Sequence, residues 1–295
     1  MSKVIIKVEN LFHSYMQGTP FEKEVLHGLK FDIYEGEKLA IVGPTQSGKS
    51  TLLQYFNAIF IPKKGRVIVD KQDTKDSGLN LKELRRKVAM LFQHPDSQLF
   101  KETVADDIAF GLKNMNFPEK VIEITIKKAL ATVSLDPNEF FYRYIFSLSG
   151  GEKKKVAIAG ILALDPEILV LDDPTAGLDP KGRGDFLNSI KFLHDKLKLT
   201  TVFVSSNMDD VVELADRVMV LVDGKIKMID IPENIFIKKE KLLSYGLTLP
   251  SVVEVVDELI KSGINIDEKI ISIDQLEESL FSYVIARDKV PKQSH

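Results

Sequence analysis

The sequence predicts an α/β fold with a mostly parallel core sheet, an antiparallel β subdomain, an inserted helical subdomain and a C-terminal extension. Three observations carry that prediction. The first ninety residues hold β-branched, partly alternating runs, VIIKV (4–8), VLHGLKFDIY (25–34), KLAIVG (38–43) and RVIVD (66–70), as half-buried or core strands do. A glycine-containing run at 43–51 follows Ile41 and Val42 and leads into STLLQYFNAI, whose spacing is helical, giving strand, loop, helix. From Gly150 onward strands and helices alternate, which implies parallel strands covered on both faces.

The alternating part reads as a helix at about 152–164, the strand EILVLDD and a helix at about 182–196. The strand TTVFVSS, a helix from Asp209, and strands VMVLV and KIKMI around the turn Asp223-Gly224 follow. Between about 96 and 150 the texture is that of amphipathic helices, with Val121, Ile124, Ala129 and Leu130 set among Lys and Glu, so this stretch is the inserted subdomain of a domain spanning 3–231. Beyond Pro232 the pattern loosens into a tail, 232–295, in which Val252, Val255, Val256, Leu259 and Ile260 form one helical stripe ended by Gly263. That stripe suits packing onto its own domain or a subunit interface. Lys238, Lys239 and Lys241, interrupted by Glu240, read as a solvated face, and Lys153 to Lys155 as solvent-exposed or in contact with phosphate or a partner.

Composition narrows the function. A chain of 295 residues holds a large core without staples, and the absence of cysteine removes disulfides, thiolate metal sites and cysteine nucleophiles. The 40 Lys+Arg against 43 Asp+Glu give no reason to expect a nucleic-acid partner. The opening MSKVIIKVEN breaks its apolar run at Lys7, too early for a secretory core, and the apolar stretch 156–164 stops at Asp165, well short of the ~20 residues that cross a bilayer. Contact with a membrane through a partner stays open.

Three motifs carry chemistry. GPTQSGKST, comprising Gly43, Pro44, Thr45, Gln46, Ser47, Gly48, Lys49, Ser50 and Thr51, fits G-x-x-x-x-G-K-[ST] in the strand-to-helix context that pattern requires. Its amides and helix N-terminus can cradle phosphate oxygens, Lys49 can reach the β- and γ-phosphates, and the Ser50 hydroxyl can ligate Mg²⁺. ILVLDD ends a buried strand in two carboxylates, Asp172 on the magnesium side and Asp173 on the side of the attacking water. LSGGE offers Ser149, Gly150 and Gly151 at the head of a second helix, a phosphate-contacting turn without the rest of a site, as if it completed a site on another copy or a relative.

Together with Gln93 in LFQHP and the run AGLD (176–179), these motifs resemble the nucleotide-binding subunit of an ATP-binding-cassette (ABC) transporter across about residues 3–230. HPDSQLFKETVADDIAFG and PENIFIKKEKLLSYGLTLP are similar, more narrowly, to the ATPases of energy-coupling-factor importers, which take up vitamins or cobalt and nickel ions. The resemblance implies a P-loop NTPase fold of ABC type and ATP with Mg²⁺ as ligands. It also implies a peripheral place on the cytoplasmic face of the membrane. The implied partners are a second ABC ATPase, a transmembrane coupling subunit and a membrane substrate-binding subunit. It makes Tyr15 the aromatic that stacks on adenine, though a strand-edge aromatic is the plain alternative. Gln93 becomes a contact of the magnesium shell and of the membrane partner, where a lone Gln would otherwise be solvated. Ser149, Gly150, Gly151 and Asp179 would close over nucleotide held by the other ATPase, and the segment from Asp96 to Phe110 would receive the coupling subunit.

The sequence departs from that family pattern in three places. Asp173 stands where Glu is usual, Asn207 where a His contacting the γ-phosphate is expected, and Gln46 at a loop position that is commonly Gly. The first two weaken the same composite site, which leads to the expectation of an asymmetric heterodimer with a slow site on this chain. The alternatives are a symmetric homodimer, a nucleotide-gated module that does not hydrolyse, and a soluble cassette ATPase not linked to transport.

Overall fold

A computed structural model describes residues 3–93 and 98–288. Strands β1 (Val4–Tyr15), β2 (Lys23–Tyr34), β4 (Lys64–Val69) and β5 (Gln72–Asp73) form an antiparallel sheet in the order β2-β1-β4-β5. Strands β3 (Lys38–Val42), β6 (Val88–Leu91), β7 (Ile168–Asp172), β8 (Thr200–Val204), β9 (Arg217–Val222) and β10 (Lys225–Asp230) form the core sheet in the order β10-β9-β3-β8-β7-β6, parallel except for the β9–β10 hairpin. Helices α1 (Lys49–Leu53) and α2 (Leu81–Lys87) precede the helical region of α3 (Val104–Asn114), α4 (Glu119–Thr132) and α5 (Pro137–Phe140). There follow α6 (Gly150–Leu162), α7 (Pro180–Leu197) and α8 (Met208–Leu214), then α9 (Pro232–Phe236), α10 (Lys239–Ser244), α11 (Ser251–Lys261) and α12 (Ile273–Asp288).

The core sheet is apolar on both faces, and the two-residue period of its strands sorts side chains between two cores. Ile168, Val170, Val202, Val204, Met219 and Leu221 pack with the antiparallel sheet and α1. Leu169, Leu171, Phe203, Val218 and Val220 face the helices, sharing a core with Ile108, Leu112, Ile126 and Val156. Ile235, Phe236, Leu242, Leu247 and Val253, from the chain after β10, join that second core.

Several elements differ from the sequence expectation. The helix expected through STLLQYFNAI ends at Leu53, because Tyr55 N and Phe56 N bond to carbonyls three residues back and Ala58 takes φ 53°, which turns the helix into a tight coil. In α4 the buried stripe is Ile122, Ile126, Ala129 and Leu130, while Val121 and Ile124 point outward. In α11 the buried positions are Val253 and Val256, with Val255 and Ile260 exposed. Lys239 is not part of a solvated face but pairs with Asp257 at 2.8 Å, joining α10 to α11. Helix α2 and strand β6 were not expected at all.

Candidate active site

The loop 43–51 leaves the C-terminal end of β3 and opens α1, and two of its glycines are obligatory. A Cβ at Gly43 would lie 2.0 Å from the Leu221 carbonyl oxygen, and Gly48 has φ 99° with a Cβ position 2.7 Å from Leu26. Gln46 takes φ 68°, a left-handed backbone in which glycine is easier, so its departure from the usual residue is felt. From behind, the Asp223-Gly224 turn braces the loop. Gly224 N donates to Ser47 O and its carbonyl accepts from His27 N of β2, at 3.2 and 3.0 Å, and a Cβ at Gly224 would meet Val25 O at 2.0 Å.

A cavity of about 380 Å³ opens above this loop, lined by Gly43, Thr45, Gln46, Gly48, Lys49, Ser50 and Thr51. Lys49 folds back so that Nζ donates to Gly43 O and Pro44 O at 2.7 and 2.8 Å, and burial holds its pKa below the usual lysine value. Pro44, half-buried, does not line the cavity, and Ser47 lies beneath it, its Oγ buried without a hydrogen-bond partner. Across the cavity the end of β7 presents Asp172, whose Oδ1 accepts from Ser50 Oγ at 3.1 Å. Burial pushes the Asp172 carboxyl above its ordinary range and the neighbouring Asp173 adds to this, against the Ser50 hydrogen bond and Lys49. Gln93 completes a set of hard oxygen groups with Ser50 and Asp172, the chemistry that suits Mg²⁺. Tyr15, at the end of β1, stands at the rim, 41 % exposed, its ring edge-on to His13 at 4.4 Å and its hydroxyl 2.9 Å from Thr51 Oγ1.

Asp173 sits at φ 45°, just past the strand, with its carboxylate accepting from Ser206 N at 3.3 Å and from Ser206 Oγ at 3.0 and 3.2 Å. The expectation for Asn207 is corrected here. Asn207 Oδ1 caps α8 by accepting from Asp209 N at 2.9 Å, so that side chain is used by the helix, and Ser206 is the one that lines the cavity. Lys23, Val25 and Val204 also line it and were not foreseen.

The second glycine turn lies outside this cavity. Ser149 caps α6 in a reciprocal box with Glu152, Gly150 is exposed and Gly151 half-buried, and Asp179 caps α7 through Gly182 N. The lysine run is likewise not all on the surface: Lys154 is buried. Of the segment from Asp96 to Phe110, Asp96 and Ser97 fall outside the described residues, as do His94 and Pro95. Asp107 is committed locally, accepting from Phe100 N and Lys101 N at 3.0 and 3.1 Å.

The sequence matches the ABC transporter family over residues 26–176. It is 45% identical to the energy-coupling factor transporter ATP-binding protein EcfA2 of Clostridium tetani, covering 93% of this chain and 96% of that protein. The fold is similar to cbiO1 of Clostridium perfringens, described as part of the ABC transporter complex cbiONQ, with a TM-score of 0.73 and 34% identity over 86% of this chain and 99% of that one. It is also similar to the cassette MJ0796 in a dimeric state bound to ADP and Pi, with a TM-score of 0.68 and 26% identity over 77% of this chain and 99% of that one. With the glycine loop, the strand-end carboxylates and the two-sheet scaffold in agreement, the chain belongs to the ABC transporter ATPases, among the energy-coupling factor transporter ATP-binding proteins.

Proposed function

We propose that this chain is the ATP-binding and hydrolysing subunit of an energy-coupling-factor importer, seated peripherally on the cytoplasmic face of the membrane. It pairs with a second ABC ATPase and engages a transmembrane coupling subunit and a membrane substrate-binding subunit to drive uptake of a vitamin or a transition-metal ion. The reading is carried by the meeting of loop 43–51, Asp172 and Asp173 in one cavity beside Tyr15, in a chain similar over nearly its whole length to EcfA2 proteins. Among the described residues no helix is long and apolar enough to cross a membrane, which fits a peripheral subunit.

In this reading the triphosphate lies over the loop amides, Lys49 exchanges two carbonyls for phosphate oxygens, and Tyr15 stacks on adenine. Ser50, Asp172 and Gln93 would hold Mg²⁺, which would supply charge neutralisation at the phosphates. Asp173 orders the attacking water. Ser149, Gly150, Gly151 and Asp179 act in trans, closing over nucleotide on the partner ATPase, and closure works the membrane subunit as a lever.

The site on this chain is slow. Asp173 is one methylene shorter than Glu, its carboxylate is already engaged by Ser206, and Ser206, just past the β8 strand, cannot carry the charge or proton of a His. A misplacement on the order of 1 Å costs about 10²-fold in rate. The test is turnover of this protein alone, of its partner alone, and of the mixture. Asp173→Asn is expected to leave the mixture's rate unchanged and Ser149→Arg to abolish it. The reverse outcome removes this asymmetry, and loss of turnover with both variants favours a symmetric homodimer.

A further inference from the structure

Lys154 is 7 % exposed and lies just past the first turn of α6, the helix headed by Ser149, Gly150 and Gly151. A cation there is disfavoured by burial and by the positive end of the helix dipole. Its ammonium is stabilised by donating to Pro174 O at 2.8 Å and Ala176 O at 2.5 Å. Those carbonyls belong to the turn that leaves Asp173 and ends at Asp179, the cap of α7. The same turn is fixed from its other side by Asp210, 2 % exposed, which accepts from Thr175 Oγ1, from Ser205 Oγ and from Arg183 of α7. Ser205 adjoins Ser206, the residue that holds the Asp173 carboxylate.

We propose that Lys154 is a positioning residue that ties the seating of this chain's SGG turn to the placement of Asp173 in its own site. The inference rests on the reading that the SGG turn acts in trans on the partner's nucleotide. When α6 is drawn toward that nucleotide, Nζ travels with it and the 174–176 carbonyls follow, since breaking either bond costs a desolvated ammonium an acceptor. Asp173, joined to Pro174 by one peptide, moves with the turn. One composite site thereby sets the geometry of the other through a side chain that does not line the cavity.

The test uses the assembled complex in which the partner ATPase has its water-orienting acid changed to the amide, so that the partner site binds nucleotide without turning it over. Lys154→Met keeps the reach and loses the donors; Lys154→Arg keeps donors. Lys154→Met is expected to bind a fluorescent ATP analogue within twofold of wild type. Its single-turnover rate at this chain's site falls about 10–100-fold at saturating ATP, with the half-saturating concentration unchanged, and Lys154→Arg restores most of the rate. A wild-type rate for Lys154→Met overturns the proposal, as does a nucleotide affinity that falls in step with the rate. Should Lys154→Met fail to fold, hydrogen–deuterium exchange on the Ser149→Arg complex decides. Reduced ATP-induced protection at 173–179 supports the link and unchanged protection overturns it. If Ser149→Arg leaves multiple-turnover hydrolysis of the otherwise wild-type complex intact, the trans reading falls and takes the proposal with it. Lost turnover with unaltered protection strikes the link alone.

Discussion

Lengthening Asp173 to Glu tests whether a short acid limits this site. The Asp173 carboxylate rests 3.0 and 3.2 Å from Ser206 Oγ. One more carbon–carbon bond advances the charge by about 1.5 Å and takes it past Ser206 toward the cavity. Positioned acids and bases contribute about 10²–10⁴-fold, and an error of about 1 Å forfeits about 10²-fold. Asp173→Glu is therefore expected to raise single-turnover hydrolysis at this site by about 10–100-fold, equivalent to about 1.4–2.7 kcal/mol of barrier. Loss of the Ser206 hydrogen bonds costs about 1 kcal/mol of stability in return. The assay is rapid-quench hydrolysis in a complex whose partner site binds but does not turn over ATP. An unchanged or lower rate at unchanged nucleotide affinity refutes the argument.

Gly43→Ala sets a methyl 2.0 Å from the Leu221 carbonyl, so nucleotide binding by calorimetry should be lost and thermal stability should drop by more than about 2 kcal/mol. Lys49→Ala is expected to abolish the heat of Mg·ATP binding while leaving the fold intact by circular dichroism. Asp172 has its pKa raised above 3.8 chiefly by burial, so the native state keeps its proton to higher pH than the unfolded chain, and ionised Asp172 lowers stability as pH rises through that raised value. Asp172→Asn should then raise the ligand-free melting temperature at pH 7 by about 2–4 °C, a gain that shrinks toward the ordinary carboxylate range, while Mg²⁺-dependent turnover is lost. Hydrogen bonds from Lys239 and Lys261 hold the Asp257 carboxyl at about 2, and Lys239→Ala should move its NMR titration part of the way back up, since Lys261 remains.

What the sequence made legible was local: a strand, a glycine loop and a lysine in register, and a strand closed by two acids. The errors came where the pattern needed a count of faces. Along the end of β8, Val204 and Ser206 line the cavity while Ser205 turns inward to Asp210, so a strict two-residue alternation points to Ser206, and Asn207 already has the position of a helix cap. In α4 the spacing 122, 126, 129, 130 is the proper helical stripe, but Val121 and Ile124 supplied a competing apolar signal. Lys154 reads from the sequence as solvent-exposed or in contact with phosphate or a partner, because its acceptors, the carbonyls of Pro174 and Ala176, lie about twenty residues away and carry no mark in the local sequence. Helix α2 was hidden by its charge, with Leu84 as its one buried side chain.

The Gly224 turn has a consequence for ligand choice. Through it the strand carrying Val25 and His27 is stapled to Ser47, and that strand pairs with the one ending in Tyr15, Tyr15 lying opposite Lys23. Under the proposed reading, in which Tyr15 stacks on adenine, base platform and phosphate grip are thus the two jaws of one caliper joined through that turn. A molecule that fills only one jaw, such as bare tripolyphosphate, then forfeits the other and is expected to bind more weakly than a purine nucleotide.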